Sequence, residues 1–194
     1  MIISFEHQFV FIHIHRTGGA SFGRLLHEVF QREVQQLSEH DNAKTTTPDF
    51  WEHYLDHFTF GFVRNPWSRI LSWYLLLNKH QTQNEIDLKK GFERFLYENL
   101  VATESTIFDD YLLLNQIDYF IDKQGRNHCD YFAKFENYAF EVNYLFRKFG
   151  KTISSIPHIN ETYTKDYRLY FTNNSQKLIQ QYCQKDLDYF GYLF

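Results

Sequence analysis

Cysteine is almost missing from this chain: Cys129 and Cys183 are the two in 194 residues, far apart and in no C-x-x-C pattern. A disulfide framework and a cysteine-built zinc site are therefore not expected, and a reducing, cytoplasmic setting fits. Proline (three) and glycine (eight) are also scarce, which leaves few places to punctuate the chain into domains and linkers. No apolar run approaches the roughly 20 residues a membrane-spanning helix needs, so no stable membrane insertion is expected. Residues 1–10 contain Glu6, His7 and Gln8 and lack the basic start of a signal peptide. Positive charge is not in excess either, with 20 Lys plus Arg against 24 Asp plus Glu and a formal charge of -4. No global field draws nucleic acid, so an anionic ligand has to be held by a local site.

What is present is aromatic. Phe (21) and Tyr (14) dominate a composition that is 43% hydrophobic, which excludes disorder and predicts an aromatic core. The length suits one domain, residues 1–194, with no repeat or low-complexity tract. Nothing in the sequence sets the oligomeric state.

Phe9-Val-Phe-Ile-His-Ile14 is short, apolar and partly β-branched, the pattern of a strand buried on both faces at the centre of a parallel sheet. A tight Thr17-Gly-Gly19 turn follows, and then Phe22, Leu25, Leu26, Val29 and Phe30 recur at helical spacing. Strand, glycine turn and helix in that order make half of a βαβ unit. A polar stretch over 38–47 reads as loop and residues 49–56 as a short aromatic helix. Phe58-Thr-Phe-Gly-Phe-Val63 reads as a second buried strand, ended by Arg64-Asn-Pro66, where Asn caps a helix and Pro starts it. Helices are also expected over 91–102, from Glu136 to a C-cap at Gly150, and around Leu178 to Cys183. Residues 119–122 and 130–133 flank Lys-Gln-Gly-Arg-Asn, which suggests a hairpin. Segments 103–130 and 157–171 carry no role that the sequence makes legible. Alternating strands and helices predict an α/β fold, a P-loop-like three-layer arrangement with a central, mainly parallel sheet flanked by helices.

Chemistry concentrates at the two strand-to-helix junctions. At the first, Arg16, Thr17, Gly18, Gly19, Ala20 and Ser21 lie where backbone amides point outward and the helix dipole favours an anion. The glycines let the main chain approach a phosphate, Ser21 offers a hydroxyl and Arg16 a fixed charge. The same glycines would equally serve a plain βα turn. The Walker spacing G-x-x-x-x-G-K-[ST] is absent, which disfavours Mg-NTP chemistry. At the second junction Arg64 leaves the strand and Ser72 follows eight residues on, so both can converge on one phosphate at the sheet edge where ligands bind. Arg64 and Arg69 could instead be helix-start charges paired with acids.

The run from Phe11 to Phe22, F-I-H-I-H-R-T-G-G-A-S-F, resembles the 5'-phosphosulfate loop of the membrane-type (family 2) carbohydrate sulfotransferases, F-I-H-x-P-K-T-G-G-T-S. His15 stands where that family has Pro, Arg16 where it has Lys, and Ala20 where it has Thr. Phe60 to Ser72 is similar to the family's 3'-phosphate motif, V-R-N-P-x-x-R-x-x-S. Weaker likenesses continue in Lys134-Phe-Glu-Asn137, Pro157-His-Ile-Asn160 and the segment from Asp186 to Tyr192, so the resemblance covers nearly the whole chain.

The resemblance implies a donor, 3'-phosphoadenosine 5'-phosphosulfate (PAPS, product PAP), bound by residues 16–21, Arg64 and Ser72, and a hydroxyl acceptor, in family terms a carbohydrate. It implies that Arg16 stabilises the departing phosphate, as a fork rather than the point charge of Lys, and that His13 supports the loop from below. His40, in the loop between the motifs, takes the family's place for a general base, although an exposed His without function is common in such loops. No metal is expected: His53 and His57 lie four apart on a helix but have no further ligand. A kinase-like phosphotransferase and a non-catalytic nucleotide-binding module are the competing readings.

Overall fold

A five-stranded mixed sheet organises the chain in a computed structural model that describes residues 1–39, 41–79, 85–102, 112–157 and 166–194. Its strands are β1 (Ile2–Ser4), β2 (Phe9–Phe11), β3 (Gln35–Gln36), β4 (Phe58–Val63) and β5 (Tyr131–Lys134), in the order β3-β1-β2-β4-β5. β2, β4 and β5 run parallel, with Phe9 opposite Phe58 and Phe60 opposite Tyr131. β1 turns back on β2, and β3 on β1, as an antiparallel edge. Seven α-helices are described: α1 (Gly19–Phe30), α2 (Pro48–His53), α3 (Pro66–Leu77), α4 (Glu85–Leu96), α5 (Tyr138–Lys148), α6 (Asn173–Tyr182) and α7 (Gln184–Phe190). No described helix is long and apolar enough to cross a membrane.

The chain divides into two compact units, Met1–Arg64 with Asp118–Ile159 and Asn65–Ile117 with Asn160–Phe194. The first holds the sheet. Successive strand residues point to opposite faces, so Phe9, Phe11, Phe60 and Phe62 share one face, where Phe22, Leu25, Leu26 and Phe30 of α1 and Val142, Leu145 and Phe146 of α5 cover them. The Phe22 ring meets Phe11, Phe60 and Phe62 at centroid distances of 4.9, 5.7 and 5.0 Å. Burying each such ring contributes about 1.5–3 kcal/mol, and the offset and edge contacts add to it. On the other face Phe120 packs over Gly61 and meets Phe132 edge-on at 4.9 Å.

Of the hairpin expected at 119–133 only a short tip forms, in which the Asp122 and His128 amides donate to the Arg126 and Phe120 carbonyls, both at 3.0 Å. Residues Gln116–Tyr119 make a 3-10 turn, a single antiparallel bridge joins Ile121 to Asn127, and β5 pairs with β4 instead. Asp122, buried at the turn, organises that tip. Its carboxylate accepts from the amides of Gln124 and Arg126, from Arg126 Nε (2.8 Å) and from His128 Nε2 (2.8 Å), which keeps the tip tight. The His128 ring in turn stacks on Trp51 of α2 at 4.1 Å.

The second unit packs Trp67, Ile70, Leu71 and Tyr74 of α3 against Phe92 and Leu96 of α4 and Ile179 and Cys183 at the end of α6. α4 is followed by a π turn over Tyr97–Val101. Thr172 and Ser175 cap α6 reciprocally, Thr172 Oγ1 accepting from the Ser175 amide and Ser175 Oγ from the Thr172 amide. Arg69 is fully buried and donates to the carbonyls of Leu114 (2.6 Å) and Leu113 (3.0 Å), so it organises backbone. Asp186, also fully buried, accepts from the Gln116 and Ile117 amides and from Gln116 Nε2.

Candidate functional site

The loop from Ile14 to Gly19 carries the geometry of an anion site. Thr17 is buried and its hydroxyl donates to the Ile14 carbonyl at 2.8 Å, which tightens the turn and commits that hydroxyl to the loop itself. Arg16 adopts a left-handed conformation, φ 66°, and Gly18 follows at φ 82° as the N-cap of α1. A left-handed arginine costs of order 1–3 kcal/mol unless its surroundings hold it. Here they do: Arg64 Nη1 donates to the Arg16 carbonyl at 3.1 Å. Burial lowers the pKa of the Arg16 guanidinium from its ordinary value of 12.5, and arginine stays charged at neutral pH.

Gly18, the N-cap of α1, makes no side-chain cap and no acid occupies the first turn, an arrangement whose positive end favours an anion. Two glycines let the backbone sit there. A Cβ on Gly18 would lie 2.5 Å from Cε2 of Tyr138, and one on Gly19 would collide with the His13 ring. Tyr138, the first residue of α5, donates its hydroxyl to the Gly18 carbonyl at 2.8 Å and bonds the Ser21 side chain. Burial, the larger influence, pushes the Tyr138 phenol well above its usual range. Beside the loop the rings of His13 and His15 stack at 5.6 Å, and His15 Nδ1 lies 3.3 Å from the Tyr119 hydroxyl.

The second junction is built on Asn65, whose Oδ1 accepts from the Ser68 amide to cap α3, with Pro66 at its first position. Asn65 Nδ2 also ties the cap to the Leu193 carbonyl at 2.9 Å. Arg64, at the end of β4, lies over the Phe135 ring at 4.4 Å.

Arg16, Thr17, Gly18, Gly19, Ala20, Ser21 and Arg64 thus gather at the carboxyl ends of β2 and β4. Ser72 is buried in α3, in the second unit. His40 lies outside the described residues. His13 does pack beneath the loop, against Gly19. The sequence reading missed Tyr138, Tyr119 and the bracing role of Phe135, all more than 100 residues from the loop; only the Lys134-Phe-Glu-Asn137 likeness pointed to that neighbourhood. Among the described residues one set of three ligand-type side chains converges, Glu6, His7 and Glu33, away from this loop in sequence. There Glu33 Oε2 accepts from His7 (2.8 Å) and Lys151 (3.3 Å).

No curated protein and no solved structure matches the chain. One protein family does, over residues 1–193, and its description is that of sulfotransferases. Nearly the full length is covered, both junctions included, and the family's P-loop-like fold agrees with the mixed α/β sheet and the phosphate-type loop before α1. The chain therefore belongs to the sulfotransferase family.

Proposed function

We propose that residues 1–194 act as one catalytic domain that transfers a sulfuryl group from PAPS to a hydroxyl, with a carbohydrate as acceptor. The observation that carries this reading is the meeting of Arg16 and Arg64 beside the uncapped start of α1. A donor phosphorylated at both ends of its adenosine needs two cationic grips, and an N-terminal helix end with close-approach glycines suits one of them. Arg64 with Ser72 would hold the 3'-phosphate, and residues 16–21 the 5'-phosphosulfate.

PAPS supplies an activated sulfuryl group whose transfer breaks the sulfur–oxygen bond to the 5'-phosphate. In the proposed reaction His40 removes the acceptor proton as the acceptor oxygen bonds to sulfur in line. The Arg16 guanidinium and the first amides of α1 balance the charge left on the departing phosphate. Arginine spreads that charge over a planar fork, which matches a phosphate with two oxygens exposed.

Titration of PAP into wild type and Arg64→Ala tests the donor assignment, with a loss of affinity of tenfold or more expected; equal affinities would remove it. Transfer of labelled sulfate from PAPS to an oligosaccharide, phenol and peptide panel then tests the chemistry. Turnover only with Mg-ATP would favour a phosphotransferase, and PAP binding without turnover a non-catalytic module. His40→Ala should abolish transfer and keep PAP binding.

A further inference from the structure

We infer that His15, stacked on His13, makes the donor loop a titratable anion site, in which a protonated imidazole pair tightens the hold on the donor's 5' end. This rests on the donor-loop reading above. His15 immediately precedes Arg16, and its ring stacks on His13 with centroids 5.6 Å apart and planes 19° from parallel. The His13 ring lies against Gly19, the first residue of α1, so closely that no Cβ would fit between them. The two imidazoles therefore run along the side of the loop, from the residue before the first cation to the helix end.

Tyr119 holds the outer ring through His15 Nδ1, at 3.3 Å. A phenol both donates and accepts, so this bond serves either charge state. With neutral His15 the Tyr119 hydroxyl donates to Nδ1 and the proton sits on Nε2; with charged His15, Nδ1–H donates to the phenol oxygen.

The groups around the pair decide when it is charged. From the loop comes Arg16 and from the end of β4 Arg64, both fixed cations. The 116–119 turn presents the Tyr119 phenol, α5 presents the Tyr138 phenol, and the first turn of α1 contributes no acid. On its other side His13 lines a groove with the Met1 amino group, Arg24 and His27 of α1, and Glu39. Like charge from two arginines opposes protonation of the imidazoles, and an anion seated on the loop reverses that opposition. Anion binding and proton uptake are then linked, each favouring the other. The histidines ordinarily titrate between pH 5 and 8, and burial lowers the Met1 amine pKa to about 6; that amine and His27 are unchanged in the variants compared below, so the ratio of affinities separates His15 from them.

Calorimetric titration of PAP into the full chain between pH 6 and pH 8 tests this, comparing wild type with His15→Asn, Tyr119→Phe and Arg16→Ala. Asn keeps a hydrogen-bonding group of similar reach and does not titrate. The phosphates of PAP gain negative charge over the same range in every sample, so the ratio of wild-type to variant affinity isolates the imidazole. Wild type should bind several-fold more tightly than His15→Asn at pH 6, on the way to the roughly tenfold limit that a midpoint moved by about one pH unit gives below both midpoints, and the two should converge by pH 8. Tyr119→Phe should fall between them. Parallel profiles, with Arg16→Ala having lost affinity, would overturn this inference and leave the donor loop standing. Undiminished PAP binding in Arg16→Ala would overturn the donor loop, and this inference with it. Proton NMR of the His15 imidazole in wild type supplies a reading that needs no variant: PAP should move its titration midpoint upward, and an unmoved midpoint would count as refutation.

Discussion

The Arg64 guanidinium and the Arg16 backbone meet at one oxygen: Arg64 Nη1 donates to the Arg16 carbonyl at 3.1 Å, with the guanidinium lying over Phe135 at 4.4 Å. Two junctions that look independent in sequence are therefore mechanically joined. Arg64 neutralises the far end of the donor in our proposal, and it also holds Arg16 in its left-handed conformation. Its removal should be felt at both ends. Arg64→Lys keeps the charge but replaces a planar fork by a single ammonium, and should weaken PAP binding about tenfold. In a double-mutant cycle Arg16→Ala and Arg64→Ala should couple by about 0.5–3 kcal/mol, as contacting residues do. Because Arg16→Ala keeps the carbonyl that Arg64 grips, additive losses in PAP affinity would show that the bridge does not position the Arg16 side chain for the donor.

Gly19 meets the His13 ring with no space for a methyl group. Gly19→Ala should therefore displace either the ring or the start of α1 and lower stability by about 1–3 kcal/mol, the range for overpacking. Trimming the obstacle should relieve the clash: His13→Ala combined with Gly19→Ala should cost less than the two single changes added together. Urea denaturation of the four proteins gives that comparison, and strict additivity would contradict the packing described.

The parts of this fold that were legible in the sequence are those with dense local signals. β2 is an apolar run, β4 is rich in phenylalanine with Thr59 and Gly61 between, and Asn65-Pro66 carries a cap and a first-turn proline in adjacent letters. β1 went unseen because three residues are too few to show alternation, although Ile2 and Ile3 are buried as any strand core would be. The 119–133 hairpin is right only at its tip, because residues 131–134 find a longer partner in β4, a pairing across about 70 residues that composition does not reveal. The same limit applies to the site. Gly18, Gly19 and Arg16 announce themselves within one stretch, whereas Tyr138 and Tyr119 reach the loop across more than 100 residues through side-chain hydrogen bonds. No periodicity encodes such contacts.

Asp122 also sets an acid limit on the fold. Burial acts to raise its pKa, but the bonds from His128, from Arg126 and from the Gln124 amide outweigh it and hold the carboxyl well below the ordinary carboxylate value of 3.8. A carboxyl depressed in the folded state stabilises the protein at every pH above its unfolded value. That contribution drains away as pH falls from about 4 toward the depressed folded value. Asp122→Asn should lower the urea midpoint at pH 7 and make the decline below pH 4 shallower than in wild type. A variant whose decline matched wild type throughout would place the acid sensitivity elsewhere.

Arg69 occupies the second arginine position of the R-N-P-x-x-R stretch, but it is buried and spends two donors on the carbonyls of Leu113 and Leu114. It is therefore expected to govern folding rather than donor affinity. Arg69→Met fills similar volume and leaves two buried carbonyls without these donors, a loss of about 1–3 kcal/mol for each group left unsatisfied. Thermal denaturation should show a large fall in Tm. PAP affinity, scaled to the folded fraction, should stay within about twofold of wild type, well under the tenfold that corresponds to 1.4 kcal/mol. A selective loss of PAP binding with Tm unchanged would instead put Arg69 on the ligand.

Tyr138 offers the sharpest separation between shaping the loop and contacting the donor. Its hydroxyl donates to the Gly18 carbonyl at 2.8 Å and bonds Ser21, while its ring closes over the Gly18 backbone and meets Phe62 at 5.0 Å. Tyr138→Phe keeps the ring and deletes the hydroxyl, so the packing survives and the Gly18 carbonyl loses this donor in a partly buried place. A neutral hydrogen bond of this kind contributes about 0.5–1.5 kcal/mol, so stability should fall by that amount. PAP affinity should drop by a factor of about two to ten as the start of α1 loosens. Tyr138→Ala removes the ring as well and should lose considerably more on both counts, because the Phe62 contact and the wall over Gly18 go together. Denaturation and calorimetry on the same preparations would test the order wild type, Phe, Ala. If Tyr138→Phe bound PAP as well as wild type while losing stability, the hydroxyl would belong to the fold alone, and the amides of α1 would be positioned without it.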